Sequence, residues 1–257
     1  MKQIFKNRPL YSKLMDLQDI LGTKKALTDF EDELAGLWAK GDIHGPVHFA
    51  KGNEDQIIRI FRGLREGEYV EQSPSLTRQE VLDSKLIVVP RSTQDARYLQ
   101  GVREDDSIFV TYRNHAHVLL KGMPQEKVRQ DVIEGRSMYP MSKKHGVFSS
   151  AIVPGHLKPA VGLAMAYKLS GSSQHVWAFC GDMAAQTGAF HEVTNYSANH
   201  RFPITFVVED NGMSVDTPTR EVWGMDKDKV PTLLPNTIYY AYRNSFKHQG
   251  AGKEAGF

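Results

Sequence analysis

Residues 175–218 read HVWAFCGDMAAQTGAFHEVTNYSANHRFPITFVVEDNGMSVDTP. VWAFC is a short apolar run of the kind that forms a buried strand, and Gly181-Asp182 ends it abruptly. A Gly-containing loop from Ala184 to Gly188 then leads into a helix from Ala189 to about His200. Pro203 breaks that helix, and ITFVV makes a second buried strand ending at Glu209-Asp210-Asn211-Gly212. Strand, loop, helix and strand make one parallel crossover, which sends Asp182 and Asn211 off the carboxyl ends of neighbouring parallel strands. Ligands of open α/β sheets bind at that edge. The expected fold class is α/β, a mostly parallel sheet with helices on both faces.

The residue types at this edge indicate a chemistry. A carboxylate, a side-chain amide oxygen and exposed backbone carbonyls are hard ligands suited to Mg²⁺ or Ca²⁺, and a helix start offers unpaired N–H groups to an anion. A metal-bridged diphosphate meets both demands, whereas the bland alternative is an ordinary crossover with acids at its strand ends. Gly181-Asp182, followed beyond the crossover by Asn211, resembles the diphosphate-binding motif of thiamine diphosphate enzymes, which reads GDG followed by NN. The intervening AAQTGAFHEVTNYSANHRFPITFVVEDNG is similar to the alpha subunit of the first component of 2-oxo-acid dehydrogenase complexes.

Composition agrees with a globular protein and narrows its partners. The chain has 257 residues, 24% charged and 40% hydrophobic, enough for one large α/β domain. A net charge of +2 gives no reason to expect nucleic acid or an anionic membrane. The single cysteine, Cys180, cannot form an internal disulfide and reads as a small buried hydrophobe. No stretch reaches membrane-spanning length, and MKQIFKNRPLYSKL lacks an apolar signal core, so a cytoplasmic location is expected.

Along the rest of the chain, residues 24–40 show helical spacing and stop at Gly41, which places a helical extension over about residues 1–45. In GDIHGPVHFAKGNE, His48 and Glu54 match the family's early His and Gly-x-Glu; Glu54 also suits the first turn of a helix. Residues 65–106 read as an insertion. It holds a capping box at Thr77-Arg-Gln-Glu80, a short strand LIVVP and a helix over STQDARYLQGV. DSIFVTYRNHAHVLLKG resembles the family's YRxH segment. The resemblance implies that Tyr112 and Arg113 reach the diphosphate and that His115 lies near the substrate, and strand alternation would place His117 on the same side. A helix is expected over PQEKVRQDVIEG, closing at Gly135. Tyr139 stands where the family's SMH loop has its His, with His145 as a candidate substitute.

In SSAIVPGHLKPAVGLAMAYKLSG, the resemblance implies that the backbone of Ala151 and Val153 lies against the cofactor's aminopyrimidine. Ala160, Gly162, Ala164 and Ala166 form a small-residue stripe on the helix that follows. TIYYAYR is a strand, and His248 near the end corresponds to the family's terminal His motif.

The resemblance therefore implies a single thiamine diphosphate-binding domain over residues 1–257. Its Mg²⁺ ligands would be Asp182, Asn211 and the Met213 carbonyl. Tyr112, Arg113, Ala151, Val153, Gly181, Asp182, Met183, Ala184 and Asn211 would bind the cofactor, and His115, His48 and His248 would be catalytic. The implied activity is decarboxylation of a small 2-oxo acid with acyl transfer to a lipoyl carrier. The implied partners are a beta subunit in an α₂β₂ assembly and a lipoyl-domain acyltransferase. Two alternatives stay open: a transketolase-like half subunit, and a non-catalytic partner-binding subunit. Three departures from the family pattern bear on them: Met183 for the second Gly of GDG, Asp210 for the first Asn of NN, and Tyr139.

Overall fold

A computed structural model describes residues 17–91 and 96–246. Helices α1 (Leu17–Ala39) and α2 (Glu54–Arg62) precede strand β1 (Tyr69–Glu71), helix α3 (Arg78–Ser84) and strand β2 (Ile87–Val89). Next come β3 (Ser107–Val110), α4 (His115–Leu120), α5 (Gln125–Ile133), β4 (Val147–Ser149), α6 (Leu157–Leu169), β5 (Val176–Gly181), α7 (Asp182–Ala185) and α8 (Gly188–Asn199). The described chain ends with β6 (Ile204–Asp210), the hairpin strands β7 (Met213–Ser214) and β8 (Thr217–Pro218), α9 (Thr219–Val222) and β9 (Thr237–Ala241).

Seven strands form one sheet in the order β1-β2-β9-β6-β5-β3-β4. From β9 to β4 every pairing is parallel, and the β5–α8–β6 crossover is the one expected from residues 175–218. Residues 65–106, read from the sequence as an insertion, supply β1 and β2, which pair parallel with each other and join β9 antiparallel through the single register pair Val88 and Tyr239.

Because side chains alternate along a strand, each buried strand feeds two cores. Trp177, Phe179, Val207 and Tyr240 pack with Phe30 and Leu34 of α1, Ile57 of α2 and Val118 of α4. Ala178, Cys180, Phe206, Val208 and Tyr239 face the other way, toward Val81 of α3, Leu157 of α6 and Phe190 of α8. Helices therefore cover both faces, and Cys180 is buried with its thiol pushed up by desolvation. Among the described residues no helix is long and apolar enough to cross a membrane.

Local signals explain several element ends. Thr77 and Glu80 form the reciprocal capping box at the start of α3, and Gly41 stops the chain after α1 at a φ of 82°. Two expectations need correction. The helix over STQDARYLQGV is a single tight turn, Arg97–Leu99, with residues 92–95 outside the description. It ends because Gly101 presses against backbone, where an added Cβ would lie 2.5 Å from the Gly63 nitrogen. The small-residue stripe of α6 is also divided, with Ala160 and Ala164 buried against the sheet and Gly162 and Ala166 turned outward.

Candidate functional site

The β5–β6 register sets Gly181 opposite Glu209, so Asp182 and Asp210 leave one pair later at the same end of the sheet. Tyr242 follows β9 at that edge, and Thr111, Tyr112 and Arg113 follow β3. All of these but Asp210 line a cleft of about 170 Å³. Tyr112, Arg113, Val153, Gly181, Asp182, Met183, Ala184, Asn211 and Met213, all singled out in the sequence, border it. Asn53, Thr111, Thr187, Glu209, Ser214 and Tyr242 border it too and carried no signal in the sequence.

Asp182 is the unusual group in the cleft. It opens α7 and is 4% exposed. Neither carboxylate oxygen has a hydrogen-bond partner of good geometry. Burial first, and then the neighbouring Asp210 charge, push its carboxyl up to about 7, with Thr219 and Arg220 opposing the rise. A divalent cation would supply the missing partner. Among the described residues no three His, Cys, Asp or Glu side chains gather as a metal cluster. Near Asp182, the Asn211 amide oxygen accepts from the Met213 N–H at 3.0 Å.

Asp210 is, by contrast, fully engaged. Arg78 forks it, Nε to Oδ2 and Nη2 to Oδ1, both at 3.1 Å. Arg220 donates to Oδ2 at 3.0 Å, the Tyr239 hydroxyl at 2.5 Å, and the Gly212 N–H donates to Oδ1 at 2.8 Å. Burial alone would raise this carboxyl, but Arg78, Arg220 and Tyr239 hold it below the ordinary carboxylate range.

The remaining groups surround these two acids. Arg113 donates to the Phe49 carbonyl at 2.6 Å and lies over the Tyr112 ring. Burial raises the Tyr112 hydroxyl, partly offset by Arg113. Thr187 caps α8 by accepting from the Phe190 N–H, which turns the start of that helix toward the cleft. Glu54 opens α2 and accepts from the Gly52 N–H at 3.0 Å, as a first-turn residue does. Met183 needs no glycine-like freedom, since it lies within the helical turn of α7, and its sulfur accepts from Trp223 Nε1 at 2.9 Å. The loop expected from Ala184 to Gly188 is thus shortened by that turn.

The histidines are dispersed. His48 packs against Tyr112 with ring centroids 4.5 Å apart and the planes tilted by 53°. His115 lies below the cleft, with Nδ1 at 3.1 Å from Glu31 Oε1 and Nε2 at 3.0 Å from Ser137 Oγ. His117 does not share its side, because residues 115–120 are helical rather than extended; its Nε2 meets Glu209 Oε1 at 3.1 Å. His145 pairs with Ser142 in a turn. Ala151 is not among the residues bordering the cleft, and His248 lies outside the described residues.

Comparison with known proteins adds a family. Residues 96–227 match the model of the dehydrogenase E1 component. The chain is 25% identical over 203 residues to the alpha subunit of acetoin:2,6-dichlorophenolindophenol oxidoreductase from Cupriavidus necator, covering 75% of this chain and 50% of that protein. It is 31% identical over 182 residues to the chloroplastic pyruvate dehydrogenase E1 component subunit alpha-3 of Arabidopsis thaliana, covering 57% and 42%. The same subunit from Rhizobium meliloti is 30% identical over 127 residues, covering 46% and 36%. The chain spans about half the length, or less, of these relatives.

Proposed function

Because the chain belongs to the dehydrogenase E1 component family, we propose that it is an alpha-type subunit of a thiamine diphosphate- and Mg²⁺-dependent 2-oxo-acid dehydrogenase, decarboxylating its substrate and passing the acyl group to a lipoyl carrier. The observation that carries this reading is Asp182, a buried carboxyl group at the carboxyl edge of a parallel sheet whose oxygens have no hydrogen-bond partner of good geometry. Asp182, the Asn211 amide oxygen and the Met213 carbonyl would hold Mg²⁺, a set of hard ligands that leaves positions for phosphate oxygens and water.

Arg113 offers a forked donor and Tyr112 a hydroxyl to the diphosphate, and the capped start of α8 adds a favourable helix end. Gly181, Met183 and Ala184, which border the cleft, would meet the same group through backbone, while Val153 and, two residues before it, Ala151 would support the aminopyrimidine. When bound, thiamine diphosphate supplies the nucleophilic carbon and the electron sink for decarboxylation. His48, whose ring packs against that of the cleft residue Tyr112, would exchange a proton there. His115 acts a layer deeper, between Glu31 and Ser137.

Two of the named relatives are pyruvate dehydrogenase alpha subunits and one serves an acetoin oxidoreductase, which supports a small oxo compound as substrate and a beta chain as partner. The test is calorimetric titration with thiamine diphosphate, with and without Mg²⁺. The wild-type chain is expected to bind only with the metal, and Asp182→Ala to bind at least tenfold more weakly, about 1.4 kcal/mol. Equal affinity in the variant would remove the metal site as drawn.

A further inference from the structure

The insertion and the Asp210 departure meet at one contact. Arg78 is the first residue of α3, within the insertion, and its guanidinium grips both oxygens of Asp210, a residue far away in sequence. The grip is enclosed, with the Arg78 side chain 16% and the Asp210 side chain 1% exposed. Asp210 Oδ1 also accepts the Gly212 N–H, so the orientation that Arg78 imposes on the carboxylate is passed to the turn leading to Met213. Gly212 has a φ of 79° and lies directly under the guanidinium, where an added Cβ would be 3.1 Å from Arg78 Nη2.

Arg220 adds one contact to Oδ2 and cannot by itself align both oxygens. An asparagine at position 210 would offer one acceptor oxygen and turn its NH₂ against the guanidinium, so the fork of Arg78 favours an aspartate there.

We propose that Arg78 is a positioning residue for the metal-binding turn: by forking Asp210 it holds residues 210–213 in the shape that presents Asn211 and Met213 to the cleft. The metal-binding part rests on reading the cleft as a metal–diphosphate site. The insertion is thereby the structural counterpart of the altered NN motif.

Hydrogen exchange on the metal-free full chain tests the hold on the turn. Arg78→Ala is expected to speed exchange of the Gly212 and Met213 amides at least tenfold while β5 exchanges as in the wild type. Arg78→Lys, which keeps the charge but loses the fork, should behave alike and serves if the alanine variant does not fold. Exchange as slow as in the wild type in either variant overturns the proposal, whatever the cofactor does. Titration with Mn²⁺ at saturating thiamine diphosphate tests the consequence, expected as an at least tenfold rise in Kd in both variants. A freed turn with unchanged Mn²⁺ affinity overturns the positioning role. A wild-type chain that takes up no Mn²⁺ with thiamine diphosphate overturns the metal-site reading, and the exchange result then decides separately on the hold that Arg78 has on the turn.

Discussion

Two carboxylates at adjacent strand ends have opposite fates because of who faces them. Asp210 meets two guanidinium groups and a phenol and stays ionised; Asp182 meets none of these directly and, when metal-free, retains its proton up to about 7. A carboxyl raised on folding stabilises below its unfolded value, near 3.9, and loses that contribution as pH rises through the folded one. The metal-stripped chain should therefore lose stability between about pH 4 and 7, by at most about 1.4 kcal/mol per pH unit. Asp210, whose pKa is depressed, has the reverse sign: its contribution is present above the ordinary carboxylate range and lost as pH falls below it, outside that window. Thermal denaturation from pH 4.5 to 8 is expected to show the decline in the wild type and a flatter profile in Asp182→Asn; parallel profiles would refute the assignment. Asp182 and Asn211 were marked in the sequence by residue type and place in the crossover, and Arg113 by the resemblance of its segment to the family; all three border the cleft. The Asp210 clamp was not legible in the sequence, since Arg78 belongs to a distant segment with no visible link to it.

At the scale of elements, the short ones resisted reading. The crossover, the α3 capping box and the helices α1 and α5 follow periodicity and end signals that any solvent-facing chain must obey. NHAHVLL, only one and a half turns long when helical, offers too few periods to separate helix from strand. As a helix it turns His115 and His117 through about 200° relative to each other, which is why they meet Glu31 and Glu209 respectively. The α7 turn was hidden for the same reason. Because Met183 is helical there and receives the Trp223 N–H, restoring the family's glycine should not help. Met183→Gly is expected to lower stability by about 1 kcal/mol, from helix propensity alone, without tightening cofactor binding. Urea denaturation and a cofactor titration check both halves; a variant that binds more tightly would mean that Met183 obstructs the site.

For the molecule as a whole, the ends of the parallel strands β3, β5, β6 and β9 converge on the one cleft proposed to hold half of a cofactor. The described residues form one seven-stranded sheet and a two-strand hairpin. On the proposed reading, a cofactor held at its diphosphate here would need a second α/β domain at its aminopyrimidine, and a beta-type partner is the proposed source of it. The purified chain alone is expected to show no decarboxylation and to gain it when that partner is added; full turnover by a homodimer would defeat this. In residues 65–106 the strand LIVVP was legible but its pairing was not, because LIVVP and the residues around Tyr69 are too short to announce it. Their antiparallel seam on β9 has a consequence for solubility. Thr237–Ala241, TIYYA, is wholly buried, uncharged and rich in β-forming side chains. Without β2 it would become an unguarded sheet margin, a template onto which another chain could add a strand. Excising residues 65–106 to mimic the family's shorter outline should therefore yield not a trimmed protein but one that self-associates, with light scattering rising as the chain is concentrated.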